Sequence, residues 1–149
     1  MYASNLHEMA LPTPTKRVLL VDDNAVVRFF VRQLFESQPD FEISGEAENG
    51  SDAVKKAEEL KPDLIILDLI MPVMNGLDAA PLLKKLLPDT IIILFTQQEG
   101  SEVERLAQAA GIDAVVSKSQ SASELVLKAQ TLRVSIEREH DPAKFRNAS

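Results

Sequence analysis

The segment Val18-Leu19-Leu20-Val21-Asp22-Asp23 joins an uninterrupted apolar run to two adjacent carboxylates. Three further, mostly apolar runs also lead directly into a polar side chain: residues 64–67 into Asp68, 91–95 into Thr96, and 114–117 into Lys118. Continuous apolar runs of this length are typical of parallel strands, which are buried on both faces. Because parallel strands end at the same edge of their sheet, we expect the five polar side chains to converge in one crevice.

The composition is that of a single globular domain. The chain has 149 residues, of which 45% are hydrophobic and 26% charged, which is enough apolar material for a core. The formal net charge of -7 argues against direct nucleic-acid binding by this domain. There is no cysteine, which excludes disulfides and thiolate metal sites and suits a reducing compartment. No apolar stretch approaches the ~20 residues that span a bilayer, so we expect a cytoplasmic protein without membrane contact.

The ends of the chain differ in character from its middle. Residues 1–15 contain two prolines and no periodic pattern, which predicts a flexible N-terminal extension. Residues 140–149 contain a further proline and predict a loose C-terminal tail. The folded domain is therefore expected at residues 16–139.

Within that domain, strand patterns alternate with helix patterns. Strands are predicted at residues 17–22, 41–47, 64–68, 90–95 and 114–117. Helices are predicted at residues 25–37, 51–60, 76–87, 102–110 and from residue 122 or 124 to about 139. Pro81 interrupts the third helix pattern, so we expect that helix to begin near Ala80 or to kink. The second strand pattern carries two glutamates, which favours an edge position.

Five strands that alternate with helices predict a doubly wound parallel sheet with helices on both faces. Right-handed crossovers are expected throughout. In the strand order 2-1-3-4-5, the topology switches between the first and third strands, and ligands bind beside such a point at the carboxyl ends of the strands. Asp22 and Asp68 are the last residues of these two predicted strands, and Asp23 follows Asp22.

The acidic pair and Asp68 at this edge can each be interpreted in two ways. Adjacent carboxylates such as Asp22 and Asp23 repel one another unless a cation lies between them, and Mg²⁺ prefers oxygen ligands; the alternative is a solvated pair that caps the next helix. Asp68 either ends a strand as a turn residue or attacks phosphorus to form an acyl phosphate. In the second case Thr96 would supply a hydrogen bond and Lys118 a positive charge.

Residues 68–76, Asp-Leu-Ile-Met-Pro-Val-Met-Asn-Gly, resemble the phosphoacceptor segment of bacterial response-regulator receiver domains. Residues 18–23, Thr96 and Lys118 match the rest of that family's signature in order and spacing. The resemblance covers about residues 17–133. It implies a flavodoxin-like (βα)5 fold for the receiver domain and a role in two-component signal transduction.

The resemblance also implies roles for individual residues. Asp68 would accept a phosphoryl group from a histidine of a sensor kinase or phosphotransfer protein, Lys118 would pair with Asp68 or its phosphate, and Thr96 would move toward the phosphoryl group. The implied Mg²⁺ ligands are Asp22, Asp23, Asp68 and the backbone carbonyl of Ile70. Phosphorylation would then control partner binding, and a second copy of the chain is one partner to expect.

Three positions depart from the family pattern. Ser119 stands where the family often has a proline preceded by a cis peptide bond, Val115 where it often has an aromatic residue, and Gln97 where a small residue is usual. These departures leave open an alternative, a pseudo-receiver that docks partners without phosphorylation, although the intact set of five polar residues argues against it. A phosphatase of the haloacid-dehalogenase type is a further alternative, but it needs an acid at position 70, where this chain has Ile70. We therefore expect a phosphoacceptor that assists its own phosphorylation and dephosphorylation rather than an enzyme with an external substrate.

Overall fold

The structure, a computed structural model, describes residues 14–139, with side chains described through residue 132. The strands are β1 (Lys16–Val21), β2 (Phe41–Ala47), β3 (Leu64–Leu67), β4 (Ile91–Thr96) and β5 (Ala114–Ser117). The helices are α1 (Ala25–Glu36), α2 (Gly50–Leu60), α3 (Gly76–Leu86), α4 (Ser101–Ala109) and α5 (Ala122–Glu139). Residues 1–13 of the expected extension and the expected tail at residues 140–149 lie outside the described residues.

All four strand pairings are parallel, and the sheet order is β2-β1-β3-β4-β5. The predicted fold class, a flavodoxin-like doubly wound sheet, is therefore confirmed. Val21 of β1 pairs with Leu67 of β3, which pairs with Leu94 of β4. Because these central strands end almost level, the residues that follow them share one edge of the sheet.

Two apolar clusters cover the faces of the sheet. On one face, α1 and α5 pack buried side chains such as Phe35 and Leu125 against alternate strand residues. On the other face, α2, α3 and α4 contribute small residues such as Ala53 and Ala80, together with Leu83. Burial of both faces explains why β3, residues 18–21 of β1 and residues 91–95 of β4 are continuous apolar runs without alternation. Across residues 14–139, no helix combines the length and apolar character required to span a membrane.

The third helix differs from the sequence prediction. We expected a start near Ala80 or a kink at Pro81, and the late start is wrong, because α3 begins at Gly76 and runs through Pro81 to Leu86. The side chain of Asn75 accepts a hydrogen bond from the Asp78 amide at 2.8 Å, and this cap secures the first turn before the proline is reached. Pro81 lies on the exposed side of the helix, where solvent can hydrate the carbonyl that lacks a helical partner.

Candidate functional site at the carboxyl edge of the sheet

Asp22 and Asp68 occupy equivalent positions one residue beyond β1 and β3. The amide of Asp22 donates to the carbonyl of Ala47 at 3.0 Å, and the amide of Asp68 donates to the carbonyl of Val21 at 2.9 Å. The hydrogen-bond ladder of the sheet therefore extends past the strand ends and holds both residues. Both side chains are buried, whereas Asp23 is exposed.

Three carboxylates meet at this edge. One carboxylate oxygen from each of Asp22, Asp23 and Asp68 lies within 4.8 Å of the other two. Burial raises the pKa of Asp68 above its ordinary value, and the negative charge of Asp22 raises it further. Lys118 opposes both effects without cancelling them. The cluster thus has the ligand atoms and the excess negative charge that suit a metal ion.

Lys118 bridges the two buried carboxylates. Its Nζ lies 2.6 Å from Oδ2 of Asp22 and 3.2 Å from Oδ2 of Asp68. Burial alone would lower the pKa of this ammonium group, but the hydrogen bond and charge of Asp22, aided by Asp68, outweigh burial and raise the pKa. Lys118 is therefore held in its charged form. Three carboxylates and one ammonium leave a net negative charge in the cluster when all are ionised.

The second oxygen of each buried carboxylate faces the backbone. Oδ1 of Asp22 accepts a hydrogen bond from the Asn24 amide at 2.9 Å, and Oδ1 of Asp68 accepts one from the Leu69 amide at 2.8 Å. Asn24, rather than the acidic pair, caps α1, because its side chain accepts from the amides of Val26 and Val27. The interpretation of the acidic pair as the helix cap is therefore wrong.

Thr96 and Lys118 open onto the same space as Asp68. These residues line a cavity of about 200 Å³ together with Ile70, Gln97 and Gln98. Thr96 is the last residue of β4 and is buried, and its Oγ1 accepts a hydrogen bond from the Gln98 amide at 3.3 Å. The Lys118 amide donates to the Thr96 carbonyl at 2.8 Å, which ties the two residues together.

The loop after Asp68 depends on a glycine. The Gly76 amide donates to the carbonyl of Leu69 at 2.9 Å, so the start of α3 lies directly against the phosphoacceptor candidate. A Cβ atom at position 76 would overlap the carbonyl oxygen of Asp68. The sequence indicated only a turn at Asn75 and Gly76, whereas the structure shows that a larger residue at position 76 would force Asp68 and the start of α3 apart.

The departures from the family pattern have distinct local consequences. The peptide bond between Lys118 and Ser119 is trans, as are all peptide bonds among the described residues. Its Oγ donates to Glu99 Oε1 at 3.3 Å, and its amide donates to Ser117 Oγ at 3.1 Å. Val115 is half-buried and packs against the cluster beneath α2, α3 and α4. Gln97 is exposed at the cavity rim.

Sequence reasoning missed Arg28, which contacts the acidic segment from α1. Its Nη1 donates to the backbone carbonyl of Asp22, and its Nε donates to Glu46 Oε1 on β2 at 2.8 Å. Nothing in the local pattern distinguishes this arginine from one on a solvated helix face. Its partners are identified only when β1, β2 and α1 are placed side by side.

Comparison with known proteins agrees with this geometry. VraR, a response regulator of Staphylococcus saprophyticus, is 41% identical over 110 residues, which is 73% of this chain and 52% of that protein. The chain thus spans about half the length of the curated relatives it matches. A LuxR-family response regulator from Aurantimonas is 30% identical with a TM-score of 0.78, over 81% of this chain and 86% of that one.

A second solved structure, a LuxR-family DNA-binding response regulator from Staphylococcus aureus, is 31% identical with a TM-score of 0.73, over 78% of this chain and 97% of that one. The family model for the response regulator receiver domain matches residues 18–130. That match includes every strand from Val18 onward and all five polar residues at the carboxyl edge. The chain therefore belongs to the response regulator receiver domain family.

Proposed function

We propose that this receiver domain is controlled by transfer of a phosphoryl group to Asp68 in the presence of Mg²⁺. The observation that carries the proposal is the convergence of three carboxylates, one hydroxyl and one ammonium group around a single cavity. The donor would be a phosphorylated histidine of a sensor kinase or phosphotransfer protein. The absence of cysteine suits the reducing cytoplasm, where we place this reaction.

The residues present fit a magnesium ion. Carboxylate and carbonyl oxygens are its preferred ligands, and it usually keeps several waters. Asp23 is exposed and accessible to an incoming ion, whereas Asp22 already uses both oxygens within the protein. Following the resemblance to receiver domains, we assign direct contact with Mg²⁺ to Asp23 and Asp68, contact through water to Asp22, and a further ligand to the carbonyl of Ile70. When bound, Mg²⁺ neutralises the charge that accumulates on phosphoryl oxygens.

The nucleophile would be Oδ2 of Asp68. Oδ1 is engaged by the Leu69 amide, whereas Oδ2 faces Lys118. As the Oδ2–P bond forms, the N–P bond of the phosphohistidine breaks, and the electron pair returns to the imidazole. Lys118 would then pair with the transferred phosphoryl group, and Thr96 would donate its hydroxyl hydrogen to a phosphoryl oxygen.

Phosphorylation would act through the elements that hold these groups. It adds negative charge at Asp68, which draws Lys118 and Thr96 inward. Because Lys118 follows β5 and Thr96 ends β4, the surface around these strands would change and alter the binding of an effector or a second copy. No substrate ester would be turned over, because Ile70 offers no acid at the position where aspartyl phosphatases need one.

The test is the intact mass of the protein after incubation with Mg²⁺ and acetyl phosphate. We expect one phosphoryl adduct on the wild type and on Asp113→Asn, which alters a carboxylate at the opposite edge of the sheet. We expect none on Asp68→Asn. An adduct on Asp68→Asn at that position would contradict the mechanism. No adduct on any variant, with Mg²⁺ binding demonstrated, would favour the pseudo-receiver.

A further inference from the structure

Arg28 is a largely buried arginine that joins the metal-site candidate to the rest of the fold. Its side chain is 12% exposed. It lies one turn into α1, where its amide donates to the Asn24 carbonyl at 3.1 Å. Its guanidinium group donates from Nη1 to the Asp22 carbonyl and from Nε to Glu46. One side chain therefore links α1, the end of β1 and the edge strand β2.

Arg28 completes the restraint of Asp22. The Asp22 amide is bonded to Ala47, Oδ1 to the Asn24 amide, and Oδ2 to Lys118. The remaining polar atom is the backbone carbonyl, and Arg28 holds it. Because the peptide unit is planar, the orientation of this carbonyl also fixes the amide nitrogen of the next residue, Asp23.

The orientation of the Asp22 carbonyl matters because the Asp23 side chain lacks the packing that orients Asp22. Its side chain is exposed, whereas Asp22 is buried and bonded on every side. The direction in which the Asp23 carboxylate points is therefore set mainly by its backbone. We infer that Arg28 is a positioning residue that aims Asp23 at the metal site by holding the Asp22 carbonyl. The inference rests on the proposed Mg²⁺ site.

The ion pair with Glu46 does not account for Arg28. Arg32 also binds Glu46, with its Nε and Nη2 each 2.7 Å from Oε2. Burial would raise the pKa of Glu46, but hydrogen bonds from Arg32 and Arg28 outweigh it and lower the pKa. Glu46 thus has a second arginine partner, whereas the contact of Arg28 with the Asp22 carbonyl is not duplicated by Arg32.

The guanidinium shape explains why an arginine serves here. Its rigid fork presents separate donors to two acceptors, so it bonds the Asp22 carbonyl and Glu46 together. Glu46 is itself anchored, because Arg32 binds its carboxylate and Lys56 donates to its backbone carbonyl. The Asp22 carbonyl is therefore held against a fixed point on β2 rather than against a mobile surface side chain.

A role of Arg28 through its charge and a role in positioning Asp23 predict opposite changes in Mg²⁺ affinity when Arg28 is replaced. If Arg28 acted only through its positive charge, its removal would strengthen the binding of a nearby cation. If it positions Asp23, its removal weakens Mg²⁺ binding by about tenfold, as is typical when the partners that orient metal ligands are lost. The sign of the change distinguishes the two roles.

The experiment is calorimetric titration of the full chain with Mg²⁺, using the wild type, Arg28→Met and Arg32→Met. Both variants lose one positive charge and one partner of Glu46, but only Arg28→Met frees the Asp22 carbonyl. We expect an affinity about tenfold weaker for Arg28→Met and a change of less than about twofold for Arg32→Met. Denaturant unfolding of each variant establishes that the titrated protein is folded.

Unchanged or stronger Mg²⁺ binding by folded Arg28→Met would overturn the inference, as would an equal loss in Arg32→Met. If Arg28→Met does not fold, Arg28→Lys takes its place, because lysine keeps the positive charge but lacks the planar fork whose separate nitrogens reach the two acceptors. For that variant we expect a smaller loss of Mg²⁺ affinity than the about tenfold loss expected when the orienting partner is removed; wild-type affinity would contradict the inference. If the wild type itself binds no Mg²⁺, that result overturns the proposed metal site and, with it, this inference.

Discussion

The carboxylates at the two edges of the sheet differ in the hydrogen-bond donors and charges that surround them. At the amino edge, Asp113 precedes β5 and accepts hydrogen bonds from Lys84 Nζ at 2.9 Å and from the Ile92 amide at 2.8 Å. Asp63 precedes β3 and accepts from the Arg17 amide at 2.9 Å. Each of these carboxylates has its own donors. They join neighbouring strands where the strands begin.

At the carboxyl edge, three carboxylates lie close together, and the two buried ones, Asp22 and Asp68, share Lys118 as their cationic partner. Burial and the neighbouring Asp22 raise the pKa of Asp68 and so make its ionisation less favourable than that of an ordinary aspartate. The amino edge therefore stabilises the fold by matching acceptors with donors, whereas the carboxyl edge retains uncompensated charge. Such an arrangement is costly for stability, and it is characteristic of a site prepared for a cation and a reaction.

The largest expected difference between the edges comes from removing their lysines. In metal-free buffer, Lys118→Ala should lower the free energy of unfolding by about 3 kcal/mol, because two buried carboxylates lose their shared partner. Lys84→Ala, at the more exposed pair with Asp113, should cost about 1 kcal/mol. Urea denaturation with and without Mg²⁺ measures both.

We expect Mg²⁺ to restore much of the stability of Lys118→Ala, since a bound cation stabilises the folded state. Lys84→Ala should not respond beyond the wild type. Equal losses in the two variants, with no specific response to Mg²⁺, would mean that the edges do not differ as described.

The second expected effect concerns whether a carboxylate raises or lowers the free energy of unfolding. The folded pKa of Asp68 is raised. At a pH between the ordinary aspartate pKa and the raised one, the folded state therefore keeps a proton that the unfolded chain has already released. Stability should therefore fall as the pH rises from the ordinary aspartate range through the raised pKa. Without metal at neutral pH, Asp68→Asn should be more stable than the wild type by on the order of 1 kcal/mol, a value reduced by solvent screening.

Asp113→Asn is the matched control for that measurement. It removes a carboxylate that accepts from both Lys84 and the Ile92 amide, so it should lose stability. Thermal or urea unfolding across the acidic and neutral pH range, in the presence of a chelator, compares the two. A loss of stability in Asp68→Asn at neutral pH would show that Lys118 fully compensates the carboxylate.

The smallest expected effect concerns access to the carboxyl edge. Gln97 is exposed at the cavity rim beside Thr96, so its side chain should hinder an incoming phosphodonor. Gln97→Ala should raise the rate of phosphorylation by acetyl phosphate about threefold, which is less than 1 kcal/mol in the barrier. Intact mass followed over time measures the rate. Gln108→Ala, an exposed glutamine on α4, should leave it unchanged, and an equal change in both would exclude a specific role for Gln97.

Much of the candidate site followed from the sequence because the strands are short and buried on both faces. An apolar run that ends abruptly in a charged residue indicates both the strand and its final position, and parallel pairing then brings those positions together. Asp22, Asp68, Thr96 and Lys118 were located in this way. The resemblance to receiver domains added the roles that spacing alone leaves open.

Contacts between remote parts of the chain were not predictable in the same way. Arg28 binds Glu46, 18 residues away, and Lys118 binds Asp22, 96 residues away. Periodicity reports which face of an element is apolar, but it carries no information on which donor meets which acceptor. The start of α3 was also mispredicted, because the intrinsic cost of Pro81 was weighed without the cap at Asn75.

The sequence by itself determined the order of the elements, the burial of the strands and the set of polar residues at the carboxyl edge. These properties depend on hydrophobic patterning, which is local and repeats along each element. Only the tertiary structure decided that Lys118 bridges two carboxylates, that Gly76 must lie against Asp68, and that Arg28 holds the Asp22 carbonyl. Those features depend on distances and directions between separate elements, which are defined only once the sheet and helices have packed.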